Sequence, residues 1–142
     1  MTQLKVNPEF FRRHLAVALL LFGMGCWFGY DGYVKYPAQD EAYFAERHLE
    51  RENAIRRQRE FMILALLASA AVGFHLWRVC AFRFAFTDES FTFGGVTRRL
   101  ADIESVDRSA WEKKRIVKVD GITLDAWHHL GVREFVERLE GR

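Results

Sequence analysis

The sequence predicts an α+β membrane protein: a two-helix transmembrane hairpin with a long second helix, then a small antiparallel β-sheet of about four strands and a C-terminal α-helix. Three observations predict it. Leu15–Tyr30 and Phe61–Trp77 are almost free of ionisable side chains. With flanking arginines reaching the headgroups, each attains the roughly 20 residues that about 30 Å of hydrocarbon requires. After Cys80 the apolar residues change from helical to alternating spacing, and from Val132 they return to a helical stripe.

Composition narrows the class. The chain has 142 residues, 50% of them hydrophobic and 28% charged, which excludes fibrous and disordered proteins. A net charge of +2 leaves no broad basic footprint, so nucleic acid is not an expected partner. Two cysteines, Cys26 and Cys80, are too few for a disulfide scaffold or a four-thiolate zinc site. In a hairpin one lies mid-membrane and the other at a span's end, so they do not pair.

Residues 1–14 read as a cytoplasmic N-terminal segment. Residues 15–80 read as the hairpin, with spans at about 12–34 and 60–80. Lys5, Arg12 and Arg13 before an apolar core resemble a signal peptide, but no A-x-A-like cleavage site follows, so the first span is expected to be retained. Neither span has the polar face of a buried helix in a soluble bundle. Small residues recur along both: Gly25 and Gly29 make a G-x-x-x-G pair, and Ala65, Ser69 and Gly73 continue the spacing in the second span. Such stripes let backbones approach closely, either within one hairpin or against a partner subunit.

Basic residues are nearly balanced between the two sides. Arg12-Arg13 at the start of the first span favour both termini in the cytoplasm, at the inner membrane. Trp27, Tyr30, Tyr33 and Tyr36 then form an aromatic belt at the outer interface. Gly32 and Pro37 punctuate a connector, after which no Gly or Pro interrupts Ala38 to Val72. One long helix is expected, beginning in water as a helical loop over 38–60 and continuing into the second span. Tyr43, Phe44, Leu49 and Ile55 give it an apolar side suited to docking.

Residues 81–142 read as a small β-rich domain. Phe82, Phe84 and Phe86 alternate with Arg83 and Ala85, Thr87–Ser90 supply a turn, and Phe91-Thr92-Phe93 alternate again before the loop pair Gly94-Gly95. A second hairpin joins Ile116–Val119 to Ile122–Trp127 through Asp120-Gly121, a favoured type I′ pair. Val132, Phe135, Val136 and Leu139 then mark an amphipathic helix. The core is small for its length, so a membrane, a partner protein or a second copy is expected to complete it.

The helical hairpin, the run FRFAFTDESFTFGGVTRRLADIESVD from Phe82 and the following strand pair and helix together form a recognisable layout. It resembles the bacterial pleckstrin-homology-like domains found behind two transmembrane helices. The resemblance covers roughly Phe82 to Leu139, which is shorter than the full fold. It implies a truncated or divergent binding or assembly module, and it carries over no catalytic residue.

No phosphate-binding, nucleophile-elbow, zincin or dinucleotide motif occurs. His128-His129 with Asp125 lacks zinc-site spacing and reads as turn or surface histidines. His75 lies one turn from Arg78 and reads as interfacial. No catalytic, cofactor or metal site is assigned. The most concentrated basic patch is Lys113, Lys114 and Arg115 with Trp111, suited to contact with anionic lipid headgroups at about 1 kcal/mol per basic residue. The expected function is a non-enzymatic membrane protein, an accessory or assembly subunit. The alternative is a lipid- or ligand-sensing module tethered to the membrane.

Overall fold

A computed structural model describes residues 1–141, so Arg142, the last residue of the segment read as the β-rich domain, lies outside the described residues. The chain is α+β, with long helices in its first half, antiparallel sheets and a C-terminal helix. It forms two compact units: one from Met1–Phe11 together with the chain from Arg78 onward, the other from Arg12–Trp77.

The helical unit contains most of α1 (Pro8–Tyr30), all of α2 (Glu41–Ala45) and most of α3 (Arg51–Ala81). Pro8 opens α1, where its missing N–H removes no helical hydrogen bond. Asn7 caps it, its side-chain oxygen accepting from the Glu9 N–H at 3.0 Å. At its end α1 widens into a π-helical turn, Asp31–Lys35, and α2 is capped by Asp40, which accepts from the Tyr43 N–H at 3.0 Å.

The single helix expected from Ala38 is instead two, and the break is a correction with a clear cause. After α2 the Leu49 N–H reaches back to the Phe44 carbonyl at 3.0 Å, and His48 takes φ 53°. That is a Schellman ending, with His48 in the left-handed position that glycine usually fills. Without a Gly or Pro, nothing in the composition marks the stop. Phe44, expected on a docking side, is buried in a small aromatic cluster with Tyr36 (centroids 5.8 Å apart) and Tyr43 (5.2 Å).

Among the described residues the other unit carries nine short strands in three antiparallel sheets, where the sequence suggests one sheet. The first sheet runs β1 (Thr2–Gln3), β3 (Phe84–Phe86), β4 (Ser90–Phe93) and β5 (Val96–Arg99) in that order. The second pairs β2 (Lys5–Val6) with β9 (His129–Leu130). The third is β6 (Val106–Asp107), β7 (Ile116–Val119) and β8 (Ile122–Asp125). Between them lie a 3-10 turn at Leu100–Asp102 and the short helix α4 (Trp111–Lys114), and α5 (Val132–Glu140) ends the described chain.

Turn chemistry fixes the hairpins. Asp120 (φ 47°) and Gly121 (φ 80°) both sit at positive φ, as the primed turn demands. Gly94 (φ 58°) and Gly95 (φ 83°) do the same, so this pair is a hairpin turn and not the end of the sheet. The strand it leads to, β5, is exposed along its whole length. The core gathers Phe84, Phe86 and Phe91 around Phe135 of α5, with ring centroids 5.0, 5.2 and 6.5 Å from Phe135. Leu4, Leu100, Trp111, Val117, Val119, Leu124, Val132 and Val136 complete it. The N-terminal residues belong to this core: Leu4 is buried there, and its N–H bonds the Phe84 carbonyl at 2.9 Å.

Candidate functional site

In the helical unit, the small-residue stripe of α1 meets α3. A Cβ on Gly25 would lie 2.7 Å from Leu66 Cδ2, and one on Gly29 would lie 3.0 Å from Met62 Sδ. Gly32, one turn further, is closed off by Gln58 and Arg59 at 3.1 Å. On α3, Ala65 is buried, and the Ser69 hydroxyl donates to the Ala18 carbonyl at 2.8 Å. Gly73 differs from the rest, since a Cβ there would meet nothing within 4 Å. His75 is exposed and lies against His14, with ring centroids 5.8 Å apart. Of the aromatic belt, Trp27, Tyr30 and Tyr33 are exposed, whereas Tyr36 turns into the cluster around Phe44.

Asp31 anchors the loop end of this unit. It is buried, accepts from the Trp27 indole N–H at 3.2 Å and stands 3.6 Å from the Lys35 ammonium. Arg59 donates to the Gly32 carbonyl at 3.1 Å and lies over the Tyr33 ring at 4.4 Å. These bonds satisfy backbone and charge that the π-helical turn would otherwise leave open.

In the β-rich unit, Lys113, Lys114 and Arg115 are exposed on and just after α4. Trp111, expected beside them at the headgroups, is instead buried in the core. The reason is local: α4 is a single turn whose first residue points inward, so Glu112 and the basic residues remain on the outside. Arg115 ends that turn at φ 57° with its guanidinium 5.7 Å from the Trp111 ring centroid. Trp111 and Arg115 together wall a recess of about 280 Å³, closed by Ala126, His129, Gly131 and Arg133.

Among the described residues of this unit, His129 is the buried polar side chain. Its Nε2 lies 3.0 Å from the Val79 carbonyl oxygen, which lies in the last turn of α3 and also accepts from the Phe82 N–H at 3.3 Å. A carbonyl only accepts, so Nε2 carries the proton. Burial pushes this imidazole below the usual histidine range, against the opposing pull of the Val79 carbonyl and Asp125. His128 instead faces Asp125, with Nδ1 3.6 Å from the carboxylate, and its ring lies 4.6 Å from that of Phe10.

Among the described residues no group of three or more His, Cys, Asp or Glu side chains converges as a metal site would require. Neither a protein-family model, nor a curated protein, nor a solved structure matches this chain.

Proposed function

We propose that this chain is a non-enzymatic inner-membrane protein, an accessory or assembly subunit that presents its β-rich unit at the cytoplasmic face. One observation carries the reading. Once α1 and α3 have joined through the glycine seam, many of their large apolar side chains still point outward, with Leu20 64%, Leu67 63% and Phe74 59% exposed. Both helices are long and apolar enough to cross a membrane, and only 17% of either apolar window is buried. The core helices of a soluble protein would be mostly covered. The pairing of Thr2–Gln3 with β3 and of Lys5–Val6 with β9 also fits two crossings, because both ends of the chain then share one compartment.

The β-rich unit is, on this reading, a divergent pleckstrin-homology-like module that binds a protein partner or a second copy. The experiment is alkaline carbonate extraction of membranes carrying the full chain, followed by protease protection of each terminus. Sizing of the detergent-solubilised protein completes it. The reading predicts retention in the pellet, both termini on the cytoplasmic side and a particle of defined stoichiometry larger than a monomer. Release by carbonate overturns the membrane assignment.

A second reading, a lipid- or ligand-sensing module, is favoured by the recess between Arg115 and Arg133, whose wall is apolar and whose rim is cationic. It is separated from the first by binding of the full chain to anionic vesicles.

A further inference from the structure

At the loop end of the helical unit, α3 and the break before it enclose a recess of about 390 Å³, a volume suited to a small molecule or a lipid headgroup. Arg57, Gln58 and Phe61 line it from one face of α3, Glu50 lines it from the position just before that helix, and Tyr36 and His48 close it from the loop.

We propose that this recess binds a zwitterion in which a primary ammonium and an anionic oxyacid group are carried on one small molecule. Gln58 lines the recess, and its Oε1 is buried with no hydrogen-bond partner. A buried acceptor left unmatched is destabilising, and a bound N–H relieves it. Arg57 supplies the opposite need. Its neighbours are all engaged: Arg51 with Glu41 and the Pro37 carbonyl, Arg56 with Glu60 and Asn53, Arg59 with Gly32. Arg57 alone of these makes no ion pair or hydrogen bond among the described residues, and it faces the recess.

Glu50 decides between ligand classes. Its carboxylate accepts from Asn53 Nδ2 and keeps further acceptor capacity. A simple anion would meet Arg57 but be repelled by Glu50, and a simple cation would meet the reverse. A neutral sugar would leave both charges without a counterpart. A zwitterion matches both, with its oxyanion toward Arg57 and its ammonium shared between Glu50 and Gln58. Phe61 and Tyr36 offer apolar surface to whatever chain the zwitterion carries. His48 is held at this wall by the left-handed turn that ends α2, a conformation that non-glycine residues adopt only when the surroundings enforce it.

Two sources share this chemistry, an ethanolamine phospholipid headgroup and a free α-amino acid. The lipid source rests on the two-span reading; the amino acid does not.

The test uses the full chain in a non-ionic detergent and isothermal titration with O-phosphoethanolamine, dihexanoylphosphatidylethanolamine, dihexanoylphosphatidylcholine and leucine. Saturable binding of an ammonium-bearing zwitterion is expected, weakened about tenfold or more by Arg57→Gln and by Gln58→Met. Phosphatidylcholine, which has no N–H donor, should bind about tenfold more weakly than phosphatidylethanolamine. Binding of both ethanolamine compounds without leucine assigns the lipid headgroup, binding of leucine alone assigns the amino acid, and binding of all three assigns the shared zwitterion.

Thermal midpoints establish that each variant is folded. Absence of saturable binding by any of the ammonium-bearing probes overturns the proposal. So does a Gln58→Met variant that melts higher yet binds as before, because the unmatched oxygen would then be only a packing defect. Carbonate extraction is read separately, so failure of the membrane assignment and failure of the zwitterion site remain distinguishable.

Discussion

The Nε2 of His129 lies 3.0 Å from the carbonyl oxygen of Val79, so a residue of the second sheet closes the end of a helix fifty positions earlier in the chain. The bond needs the Nε2 proton, and the buried ring resists a second one. In the unfolded chain a histidine titrates near pH 6.5. As pH falls through that value the unfolded state takes up a proton that the folded site refuses, and stability falls until the pH passes below the depressed folded value. Thermal unfolding measured from about pH 7.5 to about pH 5 should show this loss, and His129→Gln, which keeps an N–H donor but does not titrate, should flatten the His129 share of it. An identical pH slope in the variant would show that other groups carry the dependence.

The first residues of the chain should matter more than their length suggests. Leu4 is buried among the core phenylalanines, and a Cβ on Gly131 would stand 3.0 Å from Leu4 Cδ2. Leu4→Ala is expected to cost about 2–4 kcal/mol of the β-rich unit's stability. Deleting Met1–Val6 should cost more, because it also uncovers the edge of β3. Chemical denaturation followed by near-UV dichroism of the aromatic core measures both. A truncated chain as stable as the intact one would remove the N-terminal strands from any structural role.

Along the seam between α1 and α3, the glycines are not equivalent. Gly25→Ile drives a branched side chain into Leu66 and should lower stability in detergent by about 1–3 kcal/mol. Gly73→Ile, with nothing within 4 Å, should leave it almost unchanged. Equal effects at the two positions would mean that the seam lies elsewhere.

The sensing reading has its own test. Changing Lys113, Lys114 and Arg115 together to Ser should weaken binding of the full chain to anionic vesicles, by about 1 kcal/mol for each basic residue in contact. Trp111→Phe should alter stability rather than vesicle binding, since the ring sits in the core. Vesicle binding unmoved by the triple change would leave the recess without a role at the headgroups.

What could be read in the sequence was whatever a local pattern encodes. Alternating phenylalanines mark β3 and β4, Asp120-Gly121 marks its turn, and the Val132–Leu139 stripe marks α5, because each repeats within a few residues. Strands β1 and β2 are two residues each, and their partners lie more than eighty positions away, so no local period announces them. Strand β5, VTRR, is fully exposed and therefore lacks the apolar alternation that reveals a buried face.

The site residues divide in the same way. Gly25 and Gly29 were legible as places of close approach, since only small residues permit it, while their opposite numbers Leu66 and Met62 were not. Trp111 within WEKKR reads as part of a surface patch, and only the single turn of α4 reveals that it faces inward. His48 gives no composition signal at all, because histidine there does the work of glycine.

The β-rich unit is built from both ends of the chain, with the helical hairpin between them. This imposes an order on synthesis. Met1–Val6 are made before the strands they pair with, and have no partner until Phe84–Phe86 and His129–Leu130 have been made. The leading strands must therefore stay unpaired while both apolar helices are produced. A nascent chain arrested after the first helix cannot close this unit, so its completion reports that the whole hairpin has been synthesised.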